Sequence, residues 1–122
     1  MSETGVPPKE ALQAFADWIQ HVAPEGTRAV FVAFNAPFDW MFINSYFHRY
    51  LGYNPFGHSA LDIKAYFMGQ AGVTWAETSM KQMSSRFLDE THLSHNALQD
   101  AQDQAQIFQR LLAQAKRSAV TT

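Results

Sequence analysis

The sequence predicts an α/β domain in which helices flank a small sheet. Three observations lead there. Ala29 to Phe34 is continuously apolar and β-rich, the segments on either side of it repeat apolar residues at helical spacing, and a long final segment from Asn96 to Lys116 does the same. With 122 residues and a 47% hydrophobic composition that includes ten Phe and three Trp, the chain can bury a core. It is too short for two such domains, so residues 1–122 are expected to form one, structured over 8–117 with tails at 1–7 and 118–122.

Each element has its own justification. Pro7-Pro8 punctuates the first tail, which contains Glu3, and Pro8 suits a helix start because its missing N–H falls where the first turn has no acceptor. Leu12, Phe15, Ala16, Ile19 and Val22 then form one apolar face of a helix that ends before Pro24. The run Ala29 to Phe34 has no polar alternation, which is how a strand covered on both faces reads. Asn35-Ala36-Pro37 breaks it, and a second helix is expected from Pro37 to about Leu51 with Phe38, Met41, Phe42, Ser45 and Tyr46 inward.

Gly52 to Gly57 is rich in turn formers. Ala60-Leu61-Asp62 reads as a short strand and the residues after Asp62 as a helical turn, with Asp62 as its cap. Thr78 or Ser79 caps a short helix carrying Met80, Met83 and Phe87. The last helix is expected to turn Ala97, Ala101, Ala105, Phe108, Leu112 and Ala115 inward, which leaves Asp100 at the edge of that stripe and points Asp103 away from it.

Composition excludes several classes of function. A formal charge of -2 rules out the basic footprint of a broad nucleic-acid binder, though not an enzyme that grips one strand end. Without cysteine there is no disulfide, thiolate nucleophile or cysteinyl zinc site, and a reducing, cytoplasmic setting is expected. No apolar run reaches membrane-spanning length and no signal-peptide pattern opens the chain, so no membrane partner is expected.

Two places carry chemistry. His95 and Asp100 stand five residues apart at the opening of the last helix, and Asp39 lies in the first turn of a helix just beyond the C-terminal end of a buried strand. In open α/β sheets that crevice is where ligands bind.

Phe34-Asn35-Ala36-Pro37-Phe38-Asp39 resembles the second motif of the DEDDh 3′-5′ exonucleases, and His95-Asn96-Ala97-Leu98-Gln99-Asp100-Ala101 resembles their third, His-x-Ala-x-x-Asp-Ala. Tyr53 to Phe56 followed by Leu61-Asp62 is similar to the ribonuclease T branch. The resemblance spans residues 8–115 and implies a ribonuclease H-like fold in which four carboxylates hold two divalent ions, magnesium or manganese. By that resemblance Asp39 and Asp100 are metal ligands, His95 is the general base, and the substrate is a DNA or RNA 3′ end. Asn35 would shape the turn and orient the site. Phe38, Trp40 and Phe42 are the candidates to stack a terminal base, although Phe38 and Phe42 fall on the stripe assigned to the core, and Trp40 and Trp75 are left open.

The resemblance also implies an Asp-x-Glu motif on a first strand, upstream of the helix that begins here at Pro8. No such triplet occurs in the chain. The expectation is therefore an N-terminally incomplete fold with a reduced sheet, half of the metal-binding carboxylates, and little or no activity by itself. Such a chain would bare a long apolar sheet edge, a template that a second copy or another partner chain would cover. The alternative is a non-catalytic module that binds nucleic acid or protein through the same surface.

Overall fold

The structure, a computed structural model, describes residues 5–88 and 96–121, with side chains through Arg117. Its elements in order are α1 (Pro8–Val22), β1 (Phe31–Ala33), α2 (Ala36–Leu51), β2 (Ala60–Asp62), α3 (Ile63–Ala71), a 3-10 turn (Trp75–Thr78), α4 (Met80–Phe87) and α5 (Ala97–Thr121). The chain divides into two compact units. One takes the residues up to Val32 together with Ala36–Leu61, and the other takes Ala33–Asn35 together with the residues from Asp62 on. Strands β1 and β2 are parallel hydrogen-bonded neighbours, joined through α2.

In the first unit α1 starts at Pro8 as its sequence requires and lays Ala16 and Ile19 against α2. The core is Ala16, Ile19, Phe47 and Phe56, rimmed by Leu12, Phe15, Phe31, Trp40 and Ile43. Phe56 reaches it because Asn54 fixes the preceding loop. The Asn54 side-chain oxygen accepts from the Phe56 N–H at 2.9 Å, and its amide donates to Asn44 on α2 at 2.9 Å. Edge-on ring contacts from Phe56 to Phe15, Phe31 and Phe47 then lock the loop over the two helices.

Three expectations are corrected in this unit. Helix α2 turns its other face inward: Ala36, Trp40, Ile43 and Phe47 pack, while Phe38 is 59% exposed and Met41, Phe42 and Tyr46 are exposed with it. This helix is apolar nearly all round, so spacing offers two faces of similar hydrophobicity and only the packing against α1 chooses between them. Val22, expected on the buried face of α1, is exposed in the last turn. The strand is three residues rather than six, with Val30 outside it and exposed, so the expected long sheet edge is a short one.

In the second unit the predicted caps are in place. The Asp62 carboxylate accepts from the N–H groups of Lys64 and Ala65, both at 3.3 Å, and opens α3. Gly72 closes that helix in the left-handed conformation, φ +68°, which a glycine adopts without strain. Ser79 caps α4 by accepting from the Gln82 N–H at 3.2 Å, and Thr78 instead ties off the 3-10 turn by donating to the Trp75 carbonyl at 2.6 Å. Helix α5 packs on α3 and α4, fastened by Gln70 donating to the Leu111 carbonyl at 3.2 Å. It continues to Thr121, past the end expected from its pattern.

The register of α5 also differs from expectation. Ile107 and Leu111 are fully buried and bring Asp103 in with them, 7% exposed, whereas Ala97, Ala101 and Ala105 face out. Phe108, Leu112 and Ala115 of the expected stripe stay half-buried, but its N-terminal part is alanine alone, with too little apolar area to compete with Ile107 and Leu111. Asp103 tolerates this because the Gln99 side chain donates to its carboxylate at 2.9 Å.

Candidate functional site

The two segments that carry the motif residues enter helices in different ways. After β1 the chain turns at Asn35, whose φ of +59° is the left-handed conformation. Asn adopts it more readily than most residues with a side chain, because its short polar group hydrogen-bonds locally. The turn delivers Ala36 into the interior, 1% exposed, and starts α2. Its turn-forming role is thus visible in the backbone.

Asp39 lies in the first turn of α2 and is half-buried. A carboxylate there gains from the helix dipole whatever else it does. Beside it, Phe38 stands on the outer face with its ring edge-on to Phe42 at 5.2 Å, while Trp40 turns inward and packs against Phe31 at 5.7 Å. Of the aromatics that could stack a base, Phe38 and Phe42 are exposed and Trp40 is not.

Asp100 lies in the first turn of α5, in the second unit. Asn96 caps that helix, its side-chain oxygen accepting from the Gln99 N–H at 2.7 Å and its carbonyl from the Asp100 N–H at 3.1 Å. His95, the residue before this cap, lies outside the described residues, as does Glu3. At about 100° per residue Asp100 points within about 20° of Ile107. It is therefore on the line of the buried face, not at its edge, and it is exposed because it stands at the N-terminal end of that face.

One contact joins this helix to the turn after β1. The Phe34 N–H donates to the Gln104 side-chain oxygen at 3.0 Å, one turn beyond Asp100. Sequence spacing had singled out Asp100 and passed over Gln104. The signal was present in the same i, i+4 relation, but nothing in a sequence says that Gln104 meets a strand end.

The charged groups offered here suit a hard divalent cation, for which carboxylate oxygens are the ordinary ligands. Asp39 and Asp100 belong to different compact units. Among the described residues no three His, Asp or Glu side chains gather as a cation site. The donor chemistry fits such an ion and the donor number falls short, so these side chains alone do not build a two-ion centre. Asp62 is committed to the α3 cap. Among the described residues no helix is long and apolar enough to cross a membrane.

The RNase T family model, described as an exonuclease, matches residues 1–108. The chain is similar to the 3′-5′ DNA exonuclease Cap18 of Escherichia coli, 46% identical over 104 residues that make up 85% of this chain and 56% of that protein. It thus spans little more than half the length of that curated relative.

Proposed function

The chain belongs to the RNase T exonuclease family, and from that premise we propose that it serves metal-dependent hydrolysis of nucleic-acid 3′ ends, with Asp39 and Asp100 as metal-binding carboxylates and His95 as general base. The observation that carries this reading is the position of Asp100 at the head of the buried face of α5, one turn from the Gln104 contact to the strand end. That contact brings the third-motif helix to the residue before Asn35, which opens the second motif. DNA is the first substrate to test, because the relative's name specifies it.

The chemistry suits these residue types. Hydrolysing a phosphodiester near neutral pH needs the developing negative charge offset and a water deprotonated, and divalent ions held by carboxylates supply the first of these when bound. Within this chain Asp39 and Asp100 would hold such ions, and an imidazole with an ordinary pKa of about 6.5 can take the water's proton. We further propose that these 122 residues act weakly on their own, because they offer only two of the four carboxylates that the resemblance implies.

The test uses manganese and a 5′-labelled single-stranded DNA. Slow trimming or none is expected, with calorimetric manganese binding weakened in Asp39→Asn and in Asp100→Asn. Rapid trimming that Asp100→Asn abolishes would overturn the proposed weakness, and metal binding untouched by either substitution would remove both residues from the site. A second reading, a non-catalytic binding module, draws on the exposed Phe38, Met41, Phe42 and Tyr46 of α2. Oligonucleotide binding with neither trimming nor manganese binding would favour it.

The same exposed residues support a partner. Four large apolar side chains on one helix face form a contiguous patch of the kind that marks protein contacts. We propose that another chain, a second copy included, covers it together with the short sheet edge. Light scattering behind size exclusion is then expected to give a mass above that of one chain, and Phe42→Glu to lower it. A stable monomer would sink the second-copy form of this proposal.

A further inference from the structure

The second unit holds a cation that the proposed chemistry does not use. The ammonium of Lys64, on α3, lies between two aromatic rings, 5.3 Å from the centroid of Phe34 and 4.5 Å from that of Trp75. Among the described residues it has no acidic partner and its ammonium donates no hydrogen bond. The nearest carboxylate in sequence, Asp62, is engaged with the N–H groups that open α3. Cation–π attraction orients the ammonium but satisfies none of its three N–H donors with an oxygen. Lys64 is thus a half-buried, pre-positioned cation with its hydrogen-bonding capacity in reserve.

Trp75 is fixed as firmly. It opens the 3-10 turn, where Thr78 donates to its carbonyl at 2.6 Å and the Glu77 N–H donates to Thr74 at 3.1 Å. The Glu77 carboxylate accepts from the Thr74 hydroxyl at 3.0 Å, within the turn itself. Yet the indole is 50% exposed. Lys64 covers one face of the ring, and a rigid turn presents the remainder to solvent. A half-exposed tryptophan on a hydrogen-bonded turn, with an ammonium over one face of its ring, is the combination that single-stranded nucleic acid uses, a base on the ring and a phosphate on the cation.

The location joins this pair to the candidate site. Phe34, the second ring against Lys64, is the residue whose N–H is held by Gln104, one turn beyond Asp100 on α5. Resting on the reading of the chain as part of a 3′-end nuclease, we propose that Lys64 and Trp75 form a strand-holding subsite for single-stranded nucleic acid. One base stacks on the open part of the Trp75 indole, and the Lys64 ammonium pairs with a neighbouring phosphate. The subsite has no use for the base's hydrogen-bonding edge, so it tolerates any sequence.

The experiment measures binding of a 5′-fluorescein oligothymidine to the 122-residue chain by anisotropy, in metal-free buffer and over a salt series. Lys64→Met keeps the apolar stem and removes the charge. It should weaken binding about tenfold and lower the salt slope by about 0.7, the value for one phosphate contact on a single strand. Trp75→Ala should also weaken binding about tenfold, with the slope unchanged. Lys64→Arg and Trp75→Phe should stay within about threefold of the parent, which separates contact from folding. Photocrosslinking of a 5-iodouracil oligonucleotide should recover the peptide containing Trp75. Parent-like binding by both Lys64→Met and Trp75→Ala would overturn the subsite while leaving the nuclease reading, tested through Asp39 and Asp100, in place. So would weakened binding with an unchanged salt slope in Lys64→Met and no crosslink at Trp75. A parent chain that binds no oligothymidine would likewise overturn the subsite, while the nuclease reading is judged separately by manganese binding through Asp39 and Asp100.

Discussion

Replacing Phe47 with Ala is expected to cost about 3–5 kcal/mol, the usual penalty for removing a buried ring. Phe47 is fully buried, and its ring meets Phe15 at 5.6 Å and Phe56 at 6.3 Å. The substitution removes the ring that both α1 and the loop carrying Phe56 pack against, so the first unit loses contacts from two directions at once. Small domains have about 5–15 kcal/mol in total, so a loss of this size leaves little in reserve. Urea unfolding followed by circular dichroism should show the midpoint fall sharply. The comparison that gives this result meaning is Phe42→Ala, on the opposite face of the same helix. Measured on the monomer, at a protein concentration too low for the proposed contact to form, it should cost less than about 1 kcal/mol, as exposed positions do. Equal losses at the two positions would mean that the outer face of α2 is as buried in solution as the inner one.

In the second unit the largest effect is expected at Ile107. Ile107→Ala should destabilise by about 2–5 kcal/mol, while Ala105→Glu, two residues away, should change stability by no more than about 0.5 kcal/mol. The pair tests the register of α5 directly. A reading from alanine spacing would put Ala105 inside and predict the reverse order, because a buried, unpaired carboxylate is far more costly than a missing branched side chain. If Ala105→Glu proves the more damaging of the two, the face assigned to the core is wrong and Asp100 returns to the stripe's edge.

How much could be read beforehand differs from element to element. The start of α1 at Pro8, the break at Asn35, the cap at Asp62 and the cap at Ser79 are local events, each governed by a proline ring, a left-handed turn or a side-chain oxygen facing its own backbone. Such features need only neighbouring residues, and the sequence supplies them. The two motifs were legible for the same reason, since each is a short spacing on one segment. Lys64 and Trp75 were not, because eleven positions separate them in the chain and no periodic pattern links them. Their meeting follows from the way α3 and the 3-10 turn fold back on each other.

The sequence by itself determined the order of the main helices and strands, the cap at Asp62, the family, and the identity of the carboxylates proposed for the site. Those properties depend on local backbone preferences and on short motifs, which a linear chain states outright. Only the tertiary structure decided which face of α2 and which face of α5 are buried. Each helix offered more than one apolar stripe, and the choice rests on how much area a partner helix can cover. That choice moved Phe38 and Phe42 outward, drew Asp103 in beside Gln99, and set Asp100 at the head of a buried line rather than along its margin.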